Sequence, residues 1–180
     1  MRSSTPESVP FDSRVPALPS LVAADAIDTA TLAWPGIDIT THETFRTASA
    51  VFDGMRIDLA TARSETYARP GALPAVQPGG VVDDLRRRDF SINAIALRID
   101  GEPELVDPCG GTADLDARLV RVLHARSFVD DPTRIYRGLR YAARLGFEVE
   151  TETMRLLREG LAWVDSVSGA RLRREVELML

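Results

Sequence analysis

The sequence predicts an α+β fold: a small, mostly antiparallel sheet with flanking helices, then an all-helical region from about residue 125. Two observations predict it. Asp53-Gly54 separates two short runs of strand character, and in the second run Met55, Ile57 and Leu59 alternate with Arg56, Asp58 and Ala60. That is the period of a strand leaving a tight two-residue hairpin turn. After residue 131 the spacing changes, and apolar residues recur every three or four positions, which is the period of a helix.

Length and composition bound the answer. The chain has 180 residues, 44% of them apolar and 27% charged, enough for one ordinary domain or a small domain with a helical extension. No apolar run approaches the roughly 20 residues needed to span a bilayer. The N-terminus lacks the apolar stretch of a secretory signal. A single cysteine, Cys109, excludes an internal disulfide and points to a reducing, cytoplasmic setting. Cys109, His42 and His124 do not have zinc-ligand spacing. The net charge of −5 does not advertise a nucleic-acid partner, so distribution matters more than sum. All 22 basic residues are arginine; residues 86–88 are one basic cluster, and residues 134–144 hold four arginines and no acid.

The elements follow in order. Residues 1–20, with Pro10, Pro16 and Pro19, read as an irregular leader. Residues 21–34 suit a short helix stopped by Pro35-Gly36. The hairpin of residues 48–52 and 55–60 follows, and Asp58 falls on the face opposite the apolar row, facing solvent or a cleft. Residues 61–82 carry Arg63, Glu65 and Tyr67, then Pro70-Gly71, Pro74, Pro78 and Gly79-Gly80, and read as a long loop. Residues 83–88 suit a short helix, 94–99 a strand, and 114–122 helical or turn structure. Asp131-Pro132 is an N-cap followed by proline at the first helical position, and Gly146 stops that helix. Thr151 and Ser168 are candidate caps for two further helices. The last carries Leu172, Val176, Met179 and Leu180 along one stripe into the C-terminus. That stripe implies either a chain cut short or self-association.

Residues 83–94 concentrate the chemistry. Arg86, Arg87 and Arg88 meet Asp89, Asn93 follows four residues later, and Phe90, Ile92 and Ala94 ask for a core. Guanidinium forks suit phosphate; Asp89 and Asn93 can meet sugar hydroxyls. A cleft wall fits both demands, and a solvated helix end with internal Arg–Asp pairs fits them too. Asp131 and Arg134 are likewise open to two readings, as cap and solvated first turn or as binding residues.

Four blocks, in order, resemble the bacterial tRNA nucleotidyltransferase and poly(A) polymerase family, the class II CCA-adding enzymes. They are Arg56-Ile57-Asp58 through Arg63, Glu65, Tyr67 and Pro70 to Pro74; Arg87-Arg88-Asp89 to Asn93-Ala94, similar to the family's RRDxxxN motif; Asp107-Pro108 through Gly110-Gly111 and Asp114 to Leu119 and Arg121; and Asp130-Asp131 to Arg134 and Arg137, similar to its EDxxR block with Asp130 in place of Glu. The resemblance runs from about His42 to the C-terminus, roughly three quarters of the chain.

The resemblance implies a polymerase-beta-like nucleotidyltransferase head followed by a helical neck: residues 41–124 as a partial head, 125–180 as a truncated neck, and 1–40 as a divergent leader lacking the usual first strands. It implies transfer of CMP or AMP from CTP or ATP to the 3′ end of an RNA, the tRNA CCA end, in a reaction of the two-magnesium class. Asp58 takes the place of an auxiliary catalytic carboxylate. Arg88, Asp89 and Asn93 take the ribose and phosphates of the nucleotide. Asp131 and Arg134 read the base, and Arg137 contacts phosphate with Arg140 and Arg144 on its helical face. Arg63 and Tyr67 sit on an element that helps switch nucleotide choice. His42, His124 and Cys109 are structural.

The sequence also departs from the family. The family's head begins with a GGxVRD turn and an Asp-x-Asp metal pair. Residues 1–41 hold Asp12, Asp25, Asp28 and Asp38, none two apart, and no Gly-Gly precedes them. The C-terminal body and tail are missing too. Asp58 alone cannot hold two Mg2+ ions, so the sequence predicts a fragment with little or no transferase activity by itself, or a non-catalytic nucleotide- or RNA-binding remnant. Its partners by resemblance are RNA, nucleoside triphosphates and a complementing polypeptide or second copy, with no membrane.

Overall fold

The computed structural model describes residues 20–180 except residues 24, 34, 43–45, 53–54 and 100. The expected leader therefore lies almost wholly outside the described residues, as does the conformation of Asp53-Gly54. The chain forms two compact units, Met1–Thr61 and Ala62–Leu180. The expected border near residue 125 lies inside the second.

In the first unit a four-stranded sheet has the order β1-β4-β3-β2, with β1 at Ser20–Ala23, β2 at Ile39–His42, β3 at Thr47–Phe52 and β4 at Met55–Thr61. The expected hairpin is β3 and β4, antiparallel, with Phe52 opposite Met55 across a two-residue connection. Helix α1, Ala26–Ala33, lies against it. Ala26 and Ala30, four apart and so on one helical face, are buried with Ala48 and Leu59, and Ile39 and Ile57 cover the cluster. Small side chains at these positions let the helix approach the sheet closely. Asp25 caps α1, its Oδ1 accepting from the backbone N–H of Ile27 and Asp28 at 3.2 Å each, while its other oxygen pairs with Arg46. Thr61 Oγ1 accepts from Ala26 N at 3.1 Å and donates to the Arg46 carbonyl at 2.9 Å.

The single helix expected over 21–34 is corrected here. Residues 20–23 form a strand parallel to β4, in register from Ser20 opposite Asp58 to Ala23 opposite Thr61, and the helix starts only at Ala26. Strands β1 and β2 both fall within residues 20–42, so the part of the expected leader that is described does contain strands. Four residues are too few to display a period of two, and a parallel pairing across more than thirty residues leaves no local signal.

The second unit opens with a two-stranded antiparallel ladder, β5 at Arg63–Thr66 and β6 at Ala75–Pro78. The expected long loop of 61–82 is thus corrected to a hairpin with a shorter connection at 67–74. Its exposed β6 and terminal Pro78 explain the missing pattern, because an edge strand needs neither an apolar row nor an N–H at every position. Helix α2 is Val81–Arg86 and a 3-10 turn spans Ser91–Asn93. Strands β7, Ala96–Arg98, and β8, Glu104–Val106, form a hairpin. Helix α3, Gly111–Asp116, is followed by β9, Leu119–Val120, which pairs in parallel with β10, Glu148–Val149.

The remainder is helical: α4, Ser127–Asp130; α5, Thr133–Leu145; α6, Thr151–Gly160; a 3-10 segment, Leu161–Ser166; and α7, Gly169–Glu177. Helix α5 stops where Gly146 adopts a left-handed φ of 66°, as expected. The cap of α6 is Glu150, not Thr151: its carboxylate accepts from the backbone N–H of Glu152 and Thr153 at 3.0 and 2.8 Å. Burial pushes the Glu150 carboxyl up, but these bonds and Arg121 outweigh it and hold it below the usual range. Ser168 does stand at the N-cap of α7, though its side chain makes no capping bond.

The core of this unit gathers Phe90, Val120, Val122, Phe128, Ile135 and Leu157. Phe90 is fully buried and meets the edge of Tyr141 at 5.8 Å between ring centroids. Because Phe90 follows Asp89 directly, its burial fixes the charged residues on either side. A second fixed point is Gly111 at the start of α3. A Cβ there would stand 2.1 Å from the Ser91 carbonyl oxygen and 2.7 Å from Ile95 Cγ1. Gly111→Ala is therefore expected to cost about 1–3 kcal/mol in urea unfolding, the usual penalty of overpacking against backbone. Gly101→Ala, whose Cβ meets nothing within 4 Å among the described residues, is the control and leaves the midpoint unchanged.

Candidate functional site

Burial of Phe90 turns the preceding arginines toward acids from several elements. Asp84, on α2, is 1% exposed. Its Oδ1 accepts from Arg87 Nε and Nη2 at 3.0 and 2.6 Å, and its Oδ2 from Arg88 Nη2 at 3.0 Å. Arg87 reaches on to Glu65 Oε1 at 2.9 Å, and Arg88 donates from Nη1 to the Asn93 carbonyl at 3.1 Å. Glu65 on β5, its side chain 6% exposed, also receives Arg63 at 3.0 Å and the Tyr67 hydroxyl at 3.1 Å. Arg63 is therefore a strand residue and Tyr67 stands just after the strand, rather than both lying on a long loop.

Asp89 is the junction of the site. Its Oδ1 accepts from its neighbour Phe90 N at 2.9 Å and from Asn93 Nδ2 at 3.0 Å, while Oδ2 accepts from Arg137 Nε and Nη2 at 2.8 and 2.5 Å. The residues joined this way stand 48 positions apart in sequence. Burial of Arg137 would lower its affinity for a proton; the Asp89 carboxylate overrides this and raises it. Arg137 and Arg140 also lie 5.9 and 5.6 Å from the centroid of the Tyr141 ring, within cation–π range. Arg140 pairs with Glu175 of α7 at 3.1 Å.

The start of α5 carries the remaining two residues. Asp131 Oδ1 accepts from Thr133 N and Thr133 Oγ1 at 3.1 and 2.7 Å, so it does cap the helix, and it also receives Arg171 Nη2 at 2.9 Å. The other end of Arg171 donates to the Gly71 carbonyl at 3.0 Å. Arg134 is buried rather than solvated: Nη1 donates to Ser127 Oγ at 2.7 Å, Nη2 to the Arg87 carbonyl at 3.0 Å and to the Tyr67 hydroxyl at 3.5 Å. Burial is the first cause that pushes the Tyr67 hydroxyl up to about 12, so it stays protonated. Asp130 pairs with Arg126 at 3.1 Å.

Arg88, Asp89, Asn93 and Arg137 are thus linked within one unit, and Arg134 reaches the same segment through the Arg87 carbonyl, whereas the Asp131 side chain bonds to Thr133 and Arg171 instead. Sequence reasoning missed Asp84, Glu65, Ser127 and Arg171 as their partners. For Asp84 a signal existed: an acid three and four residues before the two arginines, at helical spacing.

Asp58 belongs to the first unit. It stands opposite Ser49 in the β3–β4 ladder, accepting from Ser49 Oγ at 2.5 Å and Arg56 Nε at 2.8 Å. Burial pushes its carboxyl up, and these two groups, with the His42 charge, bring it below the usual range. Among the described residues no group of three or more His, Cys, Asp or Glu side chains could hold a metal ion. Asp58, already occupied by a guanidinium, does not amount to a magnesium site. Nor is any helix among the described residues long and apolar enough to cross a membrane. Cys109 is a half-buried free thiol.

The chain is similar to proteins of known family. The poly A polymerase head domain matches residues 22–121. An A-adding tRNA nucleotidyltransferase from Geobacter sulfurreducens is 41% identical over 150 residues, which cover 81% of this chain and 17% of that protein. The apo form II structure of a CCA-adding enzyme superposes with a TM-score of 0.82 at 39% identity, covering 88% of this chain and 39% of the other. A tRNA nucleotidyltransferase complexed with a primer tRNA and an incoming ATP analog gives a TM-score of 0.73 at 33% identity, over 86% of this chain and 44% of that one. The chain therefore spans less than half the length of these relatives.

Ser127 gives the site a test independent of any ligand. Its hydroxyl accepts from a buried guanidinium. Ser127→Ala should cost about 1.5–3 kcal/mol in urea unfolding, because a charged donor loses its acceptor out of reach of water.

Proposed function

The chain belongs to the poly A polymerase head-domain family, and from that premise we propose that it forms the nucleotide-binding and base-reading part of a tRNA nucleotidyltransferase. One observation carries the proposal. Asp89 joins the 87–94 block to α5 through Arg137, at 2.5 and 2.8 Å, while holding Asn93 at 3.0 Å. The residues that family resemblance assigns to ribose, phosphate and base are thereby collected in one unit.

Each residue has a chemical task. Arg88 offers a charged fork to the phosphates, and Asn93 and Asp89 offer a donor and an acceptor to the ribose. Arg137 holds Asp89 in place through two hydrogen bonds. Asp131 and Arg134 read the base: a carboxylate accepts from the exocyclic amine of cytosine or adenine, and a guanidinium donates to a ring nitrogen or carbonyl. Guanine and uracil place an oxygen where the amine would be and so present no donor to Asp131. The described bonds of Asp131 all fall on Oδ1, which suits Oδ2 to the base. Arg134, held by Ser127 and the Arg87 carbonyl, is fixed in advance of binding, which lowers the cost of ordering it.

The substrates in this reading are CTP and ATP and the acceptor is a tRNA 3′ end, in the cytoplasm. Residues 41–124 act as a partial head and 125–180 as a neck. The transfer step in this family uses Mg2+, and the described residues do not fit a magnesium site, so the chain's own part is binding and selection. A complementing polypeptide or a second copy would meet the exposed Val176, Leu178, Met179 and Leu180.

Two measurements test the proposal. Calorimetric titration of the 180-residue chain should give CTP and ATP at least about tenfold tighter than GTP, the discrimination of one base-reading contact. Equal affinity for all three would overturn the base-reading role of Asp131 and Arg134. Incubation with tRNA, Mg2+ and radiolabelled CTP or ATP should give little or no incorporation, because no Asp-x-Asp pair stands in residues 1–41. Robust CCA or A addition by these residues would show that the metal site is complete after all.

A further inference from the structure

Asp84 has no part in the assignments above, yet it is the most enclosed acid of the site. Resting on the nucleotide-binding reading, we propose that Asp84 is a positioning residue that aims the Arg88 guanidinium at the phosphates of the bound nucleotide. The geometry carries this in three steps.

The first is burial. Asp84 is 1% exposed, while the side chains of Arg87 and Arg88 are 19% and 28% exposed. Helix-spaced ion pairs that serve a surface leave both partners in water and contribute little. Here the carboxylate is enclosed, while both arginine side chains keep part of their surface exposed. Stability alone does not call for such a group, since an apolar residue of similar volume is often neutral or better at a buried ion-pair position.

The second is the division of labour between its oxygens. Oδ1 takes Arg87 and Oδ2 takes Arg88. Arg87 has another anchor in Glu65 at 2.9 Å. The other described bond of Arg88 goes to a neutral carbonyl, that of Asn93, at 3.1 Å. Loss of Asp84 therefore falls on Arg88, while Arg87 keeps Glu65 and its backbone carbonyl continues to receive Arg134.

The third is what the pose leaves unmet. Arg88 Nε is enclosed and has no hydrogen-bond acceptor among the described residues. A guanidinium free to choose its orientation would satisfy that donor, since leaving one unmet is costly. The observed orientation is imposed by Asp84 and the Asn93 carbonyl instead.

The test uses the 180-residue chain with Asp84→Asn, Arg88→Lys and the double variant. Calorimetry measures CTP and GTP affinity, and spectra of isotope-labelled arginine follow the Arg88 Nε–H resonance, assigned by its loss in Arg88→Lys. Asp84→Asn should weaken CTP about ten- to hundredfold, the worth of one charge-assisted hydrogen bond. It should leave the CTP-to-GTP ratio unchanged, add little to Arg88→Lys, and broaden the Arg88 resonance. A general collapse of the pocket would lose the ratio together with the affinity, and that result overturns the proposal. So does wild-type CTP affinity in Asp84→Asn, or additive effects in the double variant. If Asp84→Asn does not fold, Asp84→Glu keeps the charge but moves it by one methylene; CTP should weaken at an unchanged ratio, and wild-type affinity there overturns the proposal. If the unsubstituted chain binds neither nucleotide, the functional reading fails on its own. The Arg88 resonance then decides whether Asp84 positions Arg88, and an unaltered resonance in Asp84→Asn rejects it.

Discussion

The contact between Asp89 and Arg137 is the constraint on which the second unit depends. It ties the chain just before the buried Phe90 to the first turns of α5. The Phe90 ring leaves no room for a side chain at Gly138, where a Cβ would stand 2.9 Å from Phe90 Cζ. Charge and packing thus act at one place: the apolar residue sets how close the helix comes, and the ion pair sets its rotation. A buried pair of this kind contributes less to stability than to specificity, because desolvation offsets much of the attraction. Its worth lies in holding several donors at fixed positions before any ligand arrives.

The same logic extends outward. Arginine is the sole basic residue of the chain, and in the second unit acids repeatedly receive it: Asp84 takes Arg87 and Arg88, Glu65 takes Arg63 and Arg87, Asp114 takes Arg121, and Glu175 takes Arg140. Planar forks let one acid serve two arginines and one arginine bridge two acids. A chain of net negative charge can therefore present ordered guanidiniums on a local surface, and the sum of charges says nothing about it.

Some of this was legible in the residues. The β3–β4 hairpin, the α5 start at Asp131-Pro132 and its stop at Gly146 follow from short-range rules, and the structure contains them. The clustering of Arg88, Asp89 and Asn93 with Arg137 followed from motif order. Strand β1 escaped because it is four residues long and pairs in parallel with a distant strand. The β5–β6 ladder escaped because its exposed edge lacks alternation. Glu150 displaced Thr151 as a cap because a longer carboxylate could reach two backbone N–H groups at once.

The sequence by itself determined which side chains carry charge, where helix α5 starts and stops, and which motif blocks follow one another, since those depend on residue type and near-neighbour spacing. The tertiary structure decided who partners whom. Whether Arg134 points to water or to Ser127, and whether Asp131 serves only its own helix or also Arg171, depends on elements that meet across dozens of residues. An arginine side chain is long and flexible, so its spacing in sequence constrains its destination weakly. The acid that receives it is fixed only when the core around Phe90 closes.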